Sequence, residues 1–162
     1  MELDTILITQ ARIGSTRLPK KIMMKINNKS LLEIHLDRIK KSKEADKIIV
    51  ASTLNKEDDI IFNKVNQLGI ECFRGSEKNV LDRFYNSVKK YNPRWVVRVT
   101  SDCPLIDHNL IDLVIKYVKK KNKDYGSNIL IENFPDGQDI EVFKFNTLKK
   151  TWKMANLKSD LE

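Results

Sequence analysis

The sequence predicts an α/β domain: a mainly parallel sheet in three layers, with helices on both faces. Three observations predict it. Short apolar runs alternate with segments whose apolar residues recur every three or four positions, which is the mark of strands alternating with amphipathic helices. Capping residues, glycines and a proline fall at the boundaries between them. The length of 162 residues suits a single domain over 1–162, large enough to bury a core without staples.

Thr5–Gln10 (TILITQ) reads as a buried strand, and Ala11–Lys21 as a polar, basic loop. Ser30 precedes LLEIHLDRIKK and forms a capping box with Glu33, so a helix starts there. Asp46–Ser52 is a second buried strand. Lys56–Leu68 is helical and ends at Gly69, placed to take a left-handed conformation. Ile70–Phe73 is a third strand. Ser76 is expected to cap a helix running to Tyr91, before Pro93. Trp95–Thr100 (WVVRVT) is a β-branched fourth strand, and Asp107 caps a helix over Asn109–Lys121. Tyr125–Asn128 and Gln138–Phe143 are further strands, and a last helix starts near Asn146.

Bulk properties exclude several classes. Hydrophobic residues make up 41%, a globular composition, and no apolar run approaches membrane-spanning length. Cys72 and Cys103 lie far apart, with no CxxC and no histidine cluster, as expected of a reduced cytoplasmic protein. The start, MELDTILIT, has no basic region of the signal-peptide kind. The net charge of +8 fits either a nucleic-acid surface or a nucleotide enzyme with extra lysines on solvated helix faces. Aromatics do not interleave with the basic residues as a single-strand binder requires, which favours the second reading.

Ligands of parallel α/β sheets sit outside the carboxyl ends of the strands. That rule picks out the loops after Gln10, Ser52, Phe73 and Thr100, and three segments of the chain carry candidate chemistry. The first is Gln10-Ala-Arg-Ile-Gly-Ser-Thr-Arg-Leu-Pro-Lys-Lys21, directly after the first strand. It offers cations at Arg12, Arg17, Lys20 and Lys21, hydroxyls at Ser15 and Thr16, and backbone freedom at Gly14. Such a set suits a triphosphate, although an ordinary basic surface loop has the same composition. It is neither a Walker loop nor a dinucleotide fingerprint. The second is Ser101-Asp102-Cys103-Pro104, where a carboxylate at the sheet edge can hold Mg²⁺ against phosphates, or can simply start a turn. The third holds Asp139 and Glu141, two apart and hence on one face of a strand. Two such carboxylates repel unless a cation lies between them, and a metal shared with Asp102 would serve; a solvated acidic edge is the plainer reading. Arg74, Asp82 and Arg83 are weaker candidates. His35, in an amphipathic helix, reads as structural, and nothing arranges a nucleophile with a base.

Taken in order, QARIGSTRLPKK, RGSEKNVLDRF, VVRVTSDCPLID and FPDGQDIEVF resemble the cytidylyltransferase family, and within it the SpsF-like branch near the CMP-sugar-acid synthetases. The resemblance runs along essentially the whole chain. It implies a Rossmann-like, nucleotide-diphospho-sugar-transferase-like fold and transfer of CMP from CTP to a sugar or sugar acid, in surface polysaccharide or glycan precursor synthesis. The family's RxGSxRLPxK motif matches Arg12, Gly14, Ser15, Arg17, Leu18, Pro19 and Lys21, which would cradle the triphosphate together with Gln10 and Ala11. Arg74, Asp82 and Arg83 lie where relatives contact nucleotide or its surroundings. The family's magnesium aspartate matches Asp102, and its second acidic pair matches Asp139 and Glu141. Arg12, Lys21 and Asp102 would carry the reaction, with Mg²⁺ as cofactor. Ser101 stands where this branch usually has glycine. Relatives continue past Glu162, so the resemblance also implies a domain cut short at its C-terminus, with the acceptor pocket and any homodimer contact lying partly beyond it. The rivals are another nucleoside triphosphate or a sugar-phosphate acceptor, a glycosyltransferase role, and a basic nucleic-acid-binding domain.

Overall fold

The chain first lays down the centre of its sheet and then builds outward to both sides. The structure, a computed structural model, describes residues 3–14, 18–131 and 133–161. The elements are β1 (Thr5–Gln10), β2 (Lys25–Ile26), β3 (Lys29–Ser30), α1 (Leu31–Ile39), β4 (Lys47–Thr53), α2 (Asp59–Gln67), β5 (Glu71–Gly75) and α3 (Val80–Val88), followed by β6 (Trp95–Thr100), α4 (His108–Lys121), β7 (Tyr125–Ser127), β8 (Glu141–Lys144) and α5 (Phe145–Met154). Six strands form one sheet in the order β5-β4-β1-β6-β8-β7. The first four in that order are parallel, while β8 runs antiparallel to both β6 and β7.

Alternation along the strands sorts the core into two layers. Leu7, Val50, Val97 and Val99 pack with Leu32, Leu36 and Ile39 of α1, Ile61 and Val65 of α2, and Ile111, Ile115 and Val118 of α4. Ile6, Ile8, Ile49, Ala51 and Val96 point the other way, against Phe84 and Val88 of α3 and Phe145 and Leu148 of α5. The sheet is therefore covered on both faces, as the alternation predicts.

Several boundaries follow from local chemistry. The Ser30–Glu33 capping box forms in full, and Asp107 caps α4 by accepting from the Asn109 N–H. Gly69 takes φ +68° after α2. Three expectations need correction, and one further element was not foreseen. Ser76 does not cap α3: Asn79 does, accepting from the Asp82 N–H, and Ser76 Oγ accepts from the Asn79 N–H one step earlier. The α2 segment opens with a 3-10 turn over Lys56–Asp58. The last strand starts only at Glu141 and reverses direction. Finally, β2 and β3 form a small hairpin, turned by Asn27 and Asn28 with both φ angles positive. An Asn-Asn pair suits such a turn because asparagine tolerates the left-handed region.

β1 is the topological switch of the sheet. The chain runs from β1 outward to β4 and β5, then returns to place β6 on the other side of β1. At the carboxyl edge Gln10 lies between Ala51 and Thr100. The crevice opened by such a reversal is where ligands of open α/β sheets bind.

Candidate active site

The loops after β1 and β6 meet at that crevice. Gln10, Ala11, Arg12, Lys21, Ile22, Arg83, Ser101 and Asp102 line one cleft. Three cations (Arg12, Lys21, Arg83) face a single carboxylate (Asp102) there, so the lining carries an excess of positive charge.

Each side chain is held differently. Lys21 Nζ lies 2.6 Å from Asp102 Oδ2 and ties the two loops together. Burial pushes the Asp102 carboxyl up, but the Lys21 ammonium outweighs it and holds the pKa below the ordinary aspartate value. Arg12 is half-exposed and only loosely held, 3.5 Å from Glu77 Oε1; the Asn55 amide steadies Glu77 at 2.8 Å. Arg83 is buried, and its Nη1 donates to the Ser76 and Glu77 carbonyls. Burial first, and then the charge of Arg12, pull its pKa below the usual guanidinium range. The carboxylates of Asp58 and Glu77 oppose that pull without cancelling it.

The loop that opens the site is pinned from below. Asp58, buried at the start of the α2 segment, accepts from the Ile13 N–H at 2.7 Å and from the Thr53 hydroxyl. It thereby joins the loop after β1 to the loop after β4. Lys20, with φ 59°, donates its N–H to the Ile13 carbonyl, closing the loop before Lys21. The loop after β6 is pinned by His35, whose two ring nitrogens lie 3.0 Å from Thr9 Oγ1 and 3.1 Å from the Cys103 carbonyl. Burial lowers the His35 pKa to about 4, so the ring is neutral: Nδ1–H donates to Cys103 and Nε2 accepts from Thr9. It is structural, as the sequence suggested. The Cys103 thiol, raised by burial, stays protonated beside Thr100 and is no nucleophile.

The structure thus gathers Gln10, Ala11, Arg12, Lys21, Arg83, Ser101 and Asp102 of the residues singled out in the sequence. Ser15 and Arg17 lie outside the described residues. Gly14 keeps an ordinary backbone, and the nearest atom to a Cβ built there is the tip of the exposed Glu57 side chain, 3.1 Å away. Three other candidates are committed elsewhere. Arg74 donates to the Thr53 and Asn55 carbonyls and to Asp59, clamping the β4–α2 connection. Asp82 accepts from Trp152 Nε1 at 2.9 Å and anchors α5 to α3. Glu141 is matched by Arg98 on the adjacent strand and by the Tyr125 hydroxyl at 2.8 Å.

The expected acidic trio of Asp102, Asp139 and Glu141 therefore does not assemble. Among the described residues no three His, Cys, Asp or Glu side chains are grouped to hold a metal. Asp139 precedes β8 and lines a separate recess with Asn128, Ile129, Phe134 and Asp136. The strand is shorter than expected, so a shared face does not extend to Asp139. Sequence reading missed Asp58, whose signal was only that of a helix start, and it gave His35 as structural without the loop contacts that His35 makes. A wider concavity of about 650 Å³ lies at the opposite, amino edge of the sheet, but Asp4 and Lys144 in its wall are already paired with Lys119 and Asp124.

Fold and site together define a class: a Rossmann-like α/β domain with a cation-lined cleft at the switch point of its sheet. The chain belongs to the cytidylyltransferase family, whose sequence profile matches residues 6–162. It is 48% identical over 155 residues to an uncharacterized protein of Methanocaldococcus jannaschii, covering 96% of this chain and 63% of that one. It is 36% identical to the spore coat polysaccharide biosynthesis protein SpsF of Bacillus subtilis, over 90% of this chain and 61% of that protein. A 3-deoxy-manno-octulosonate cytidylyltransferase of Elusimicrobium minutum is 32% identical over 74% of this chain and 48% of its own. Among solved structures, a cytidylyltransferase from Leptospira borgpetersenii superposes with a TM-score of 0.90 at 30% identity, covering all of this chain and 68% of that one. The chain spans about three-fifths of the length of the first two of these relatives.

Proposed function

We propose that this chain holds the CTP-binding half of a cytidylyltransferase that transfers CMP to a sugar or sugar acid and releases pyrophosphate. The observation that carries the reading is the convergence of Arg12, Lys21, Arg83 and Asp102 on one cleft at the β1/β6 crevice. The 3-deoxy-manno-octulosonate enzyme and SpsF among the relatives support a sugar-type acceptor and a role in polysaccharide precursor synthesis.

In this reading an acceptor oxygen attacks the α-phosphorus of CTP. The bond from that phosphorus to the bridging oxygen breaks, pyrophosphate leaves with the electron pair, and the acceptor's proton passes to solvent. The protein's share is positioning and charge neutralisation. Lys21 is already in the cleft and would turn from Asp102 to a phosphate oxygen. Arg12 is loosely enough held to leave Glu77 for the same purpose. Arg83 supplies a fixed buried charge. Arg12 also borders a second hollow of about 670 Å³ with Glu77, Lys78, Asn79, Val80 and Lys158, which gives the rest of the ligand somewhere to lie.

The donor set fits a Mg²⁺ held by one protein carboxylate and the substrate phosphates, an arrangement this ion favours. Asp102, ionised and about two-fifths exposed, is that carboxylate. The ion would supply charge neutralisation at the phosphates. Asp139 and Glu141 have no part in this version of the site. The experiment is a pyrophosphate-release assay with CTP, Mg²⁺ and a panel of sugars and sugar acids, run alongside thermal protection by CTP, GTP, UTP and ATP. Selective protection by CTP supports the reading; equal protection by all four, or by none, sinks the choice of nucleotide.

A further inference from the structure

One face of the domain leaves large apolar side chains uncovered. Leu113 and Tyr117 on α4 and Tyr125 on β7 are exposed. With Leu110, Val114 and Phe134 they line one shallow hollow of about 380 Å³. The loop between Asn128 and Phe134 leaves and rejoins the rim of that hollow, and it holds out Leu130, 90% exposed, and Ile131, 71% exposed. Apolar surface gathered in this way marks a contact with a membrane or with another macromolecule.

The rim of the face is cationic. Lys116, Lys119, Lys120 and Lys121 follow one another along the last turns of α4, and Lys123 joins the lining of the hollow. Spacings of three, four and seven put Leu113, Lys116, Tyr117 and Lys120 on one stripe of the helix. The Lys121 ammonium lies over the Tyr117 ring, 5.8 Å from its centroid. The one acid of α4, Asp112, is turned inward, where it accepts from the Ser42 hydroxyl and the Lys43 and Glu44 N–H groups. Asp124 is paired with Lys144, and Asp136 and Asp139 line the recess on the other side of Phe134.

Charge chooses the occupant. A two-fold contact between copies sets the same patch against itself, and so lysine against lysine. Protein interfaces in general are poor in lysine and rich in arginine, and this rim has five lysines and no arginine. An anionic lipid surface complements the lysines and takes aliphatic and tyrosine side chains at its headgroup boundary. We infer that the α4–β7 face docks the domain on an anionic lipid surface, with Leu130 and Ile131 entering the headgroup boundary and Lys120, Lys121 and Lys123 facing lipid phosphates. The face lies at the β7 edge of the sheet, two strands beyond β6, and the inference stands apart from the nucleotide reading.

The test is co-sedimentation of the whole chain with vesicles of phosphatidylcholine, alone or mixed with phosphatidylglycerol. Wild type should bind the mixed vesicles roughly tenfold or more tightly than the neutral ones. Two variants remove the two halves of the face: Lys120→Gln with Lys121→Gln and Lys123→Gln, and Leu130→Ser with Ile131→Ser. Each should weaken binding to the mixed vesicles by roughly tenfold or more. Both should keep the wild-type melting temperature, because all five side chains are exposed. A control that removes three exposed lysines elsewhere, Lys41→Gln with Lys89→Gln and Lys149→Gln, should bind nearly as wild type does. A wild type that sediments with neither vesicle, or equally with both, overturns the inference. So does a control that loses as much as the α4 variant, which would reduce the binding to net charge. A chain that ignores vesicles but forms a dimer in sedimentation velocity, abolished by Leu130→Ser with Ile131→Ser, assigns the face to a second copy and overturns the inference as well.

Discussion

The Lys21 ammonium lies 2.6 Å from Asp102 Oδ2, and this one contact ties the loop after β1 to the loop after β6 across the switch point of the sheet. In the proposed site the carboxylate would have two opposite effects on a bound triphosphate. Without a divalent ion it would occupy Lys21 and repel the phosphates; with one it would become a ligand. Asp102→Asn should therefore tighten metal-free tripolyphosphate binding by about 1 kcal/mol, roughly fivefold, since both partners are partly exposed. The same substitution should abolish any gain in affinity on adding Mg²⁺. Titrations with and without the ion check both signs, and a variant that keeps its Mg²⁺ response would remove Asp102 from the metal site.

Asp58 is expected to matter for binding without touching ligand. Its buried carboxylate holds the Ile13 N–H and the Thr53 hydroxyl. Asp58→Ala leaves both without that partner, at a cost of about 1–3 kcal/mol each. The melting temperature should fall and the affinity for CTP should fall with it. Asp58→Asn can still accept from the Ile13 N–H and should recover much of both. Thermal unfolding and titration of the two variants decide this; an Asp58→Ala protein as stable as wild type would contradict it.

His35 predicts the pH dependence of stability. Its folded pKa of about 4 lies below the ordinary 6.5, so the unfolded chain binds the extra proton in between. The stabilisation is fully present above about pH 6.5 and is lost as pH falls toward 4. The full loss is on the order of 3 kcal/mol, with roughly 2 kcal/mol of it between pH 7 and 5. Urea unfolding at those two pH values should show the drop in wild type and a flatter response in His35→Gln. Equal slopes in the two proteins would assign the acid sensitivity elsewhere.

The contact of α4 with β7 admits no side chain at Gly126. A Cβ there would come within 2.4 Å of Val118 Cγ2, and a β-branched valine in a helix cannot swing aside cheaply. Gly126→Ala should destabilise by about 1–3 kcal/mol, and Val118→Ala in the same chain should relieve part of it. Chemical denaturation of the single and double variants tests this coupling, which strict additivity would refute.

Much of the architecture was legible because the parallel strands are buried on both faces and read as continuous apolar runs: Thr5–Gln10 and Trp95–Thr100 were placed to the residue. The later half was harder. β8 is four residues long and runs antiparallel, and period-2 patterning cannot report direction. That Arg12, Lys21 and Asp102 would share one cleft was legible because they follow strands at the carboxyl edge. Arg74, Asp82 and Glu141 were singled out as candidates, and the structure pairs each within the protein. A charged side chain that satisfies its own protein looks, in sequence, the same as one that awaits a ligand; Arg98, Trp152 and Asp59 are the partners that make the difference. Asp58 was passed over, and the contacts of His35 were not foreseen, for the converse reason, since both act on loops distant in sequence.

The central claim is that the cleft where β1 and β6 end takes a nucleoside triphosphate through Arg12 and Lys21. Calorimetric titration of CTP with Mg²⁺ into the wild type and into the Arg12→Ala and Lys21→Ala variants tests it most directly. The account predicts saturable 1:1 binding that weakens at least tenfold in each variant, about the contribution of a charge-assisted phosphate contact, with the fold retained. Saturable binding of unchanged affinity in both variants would contradict it.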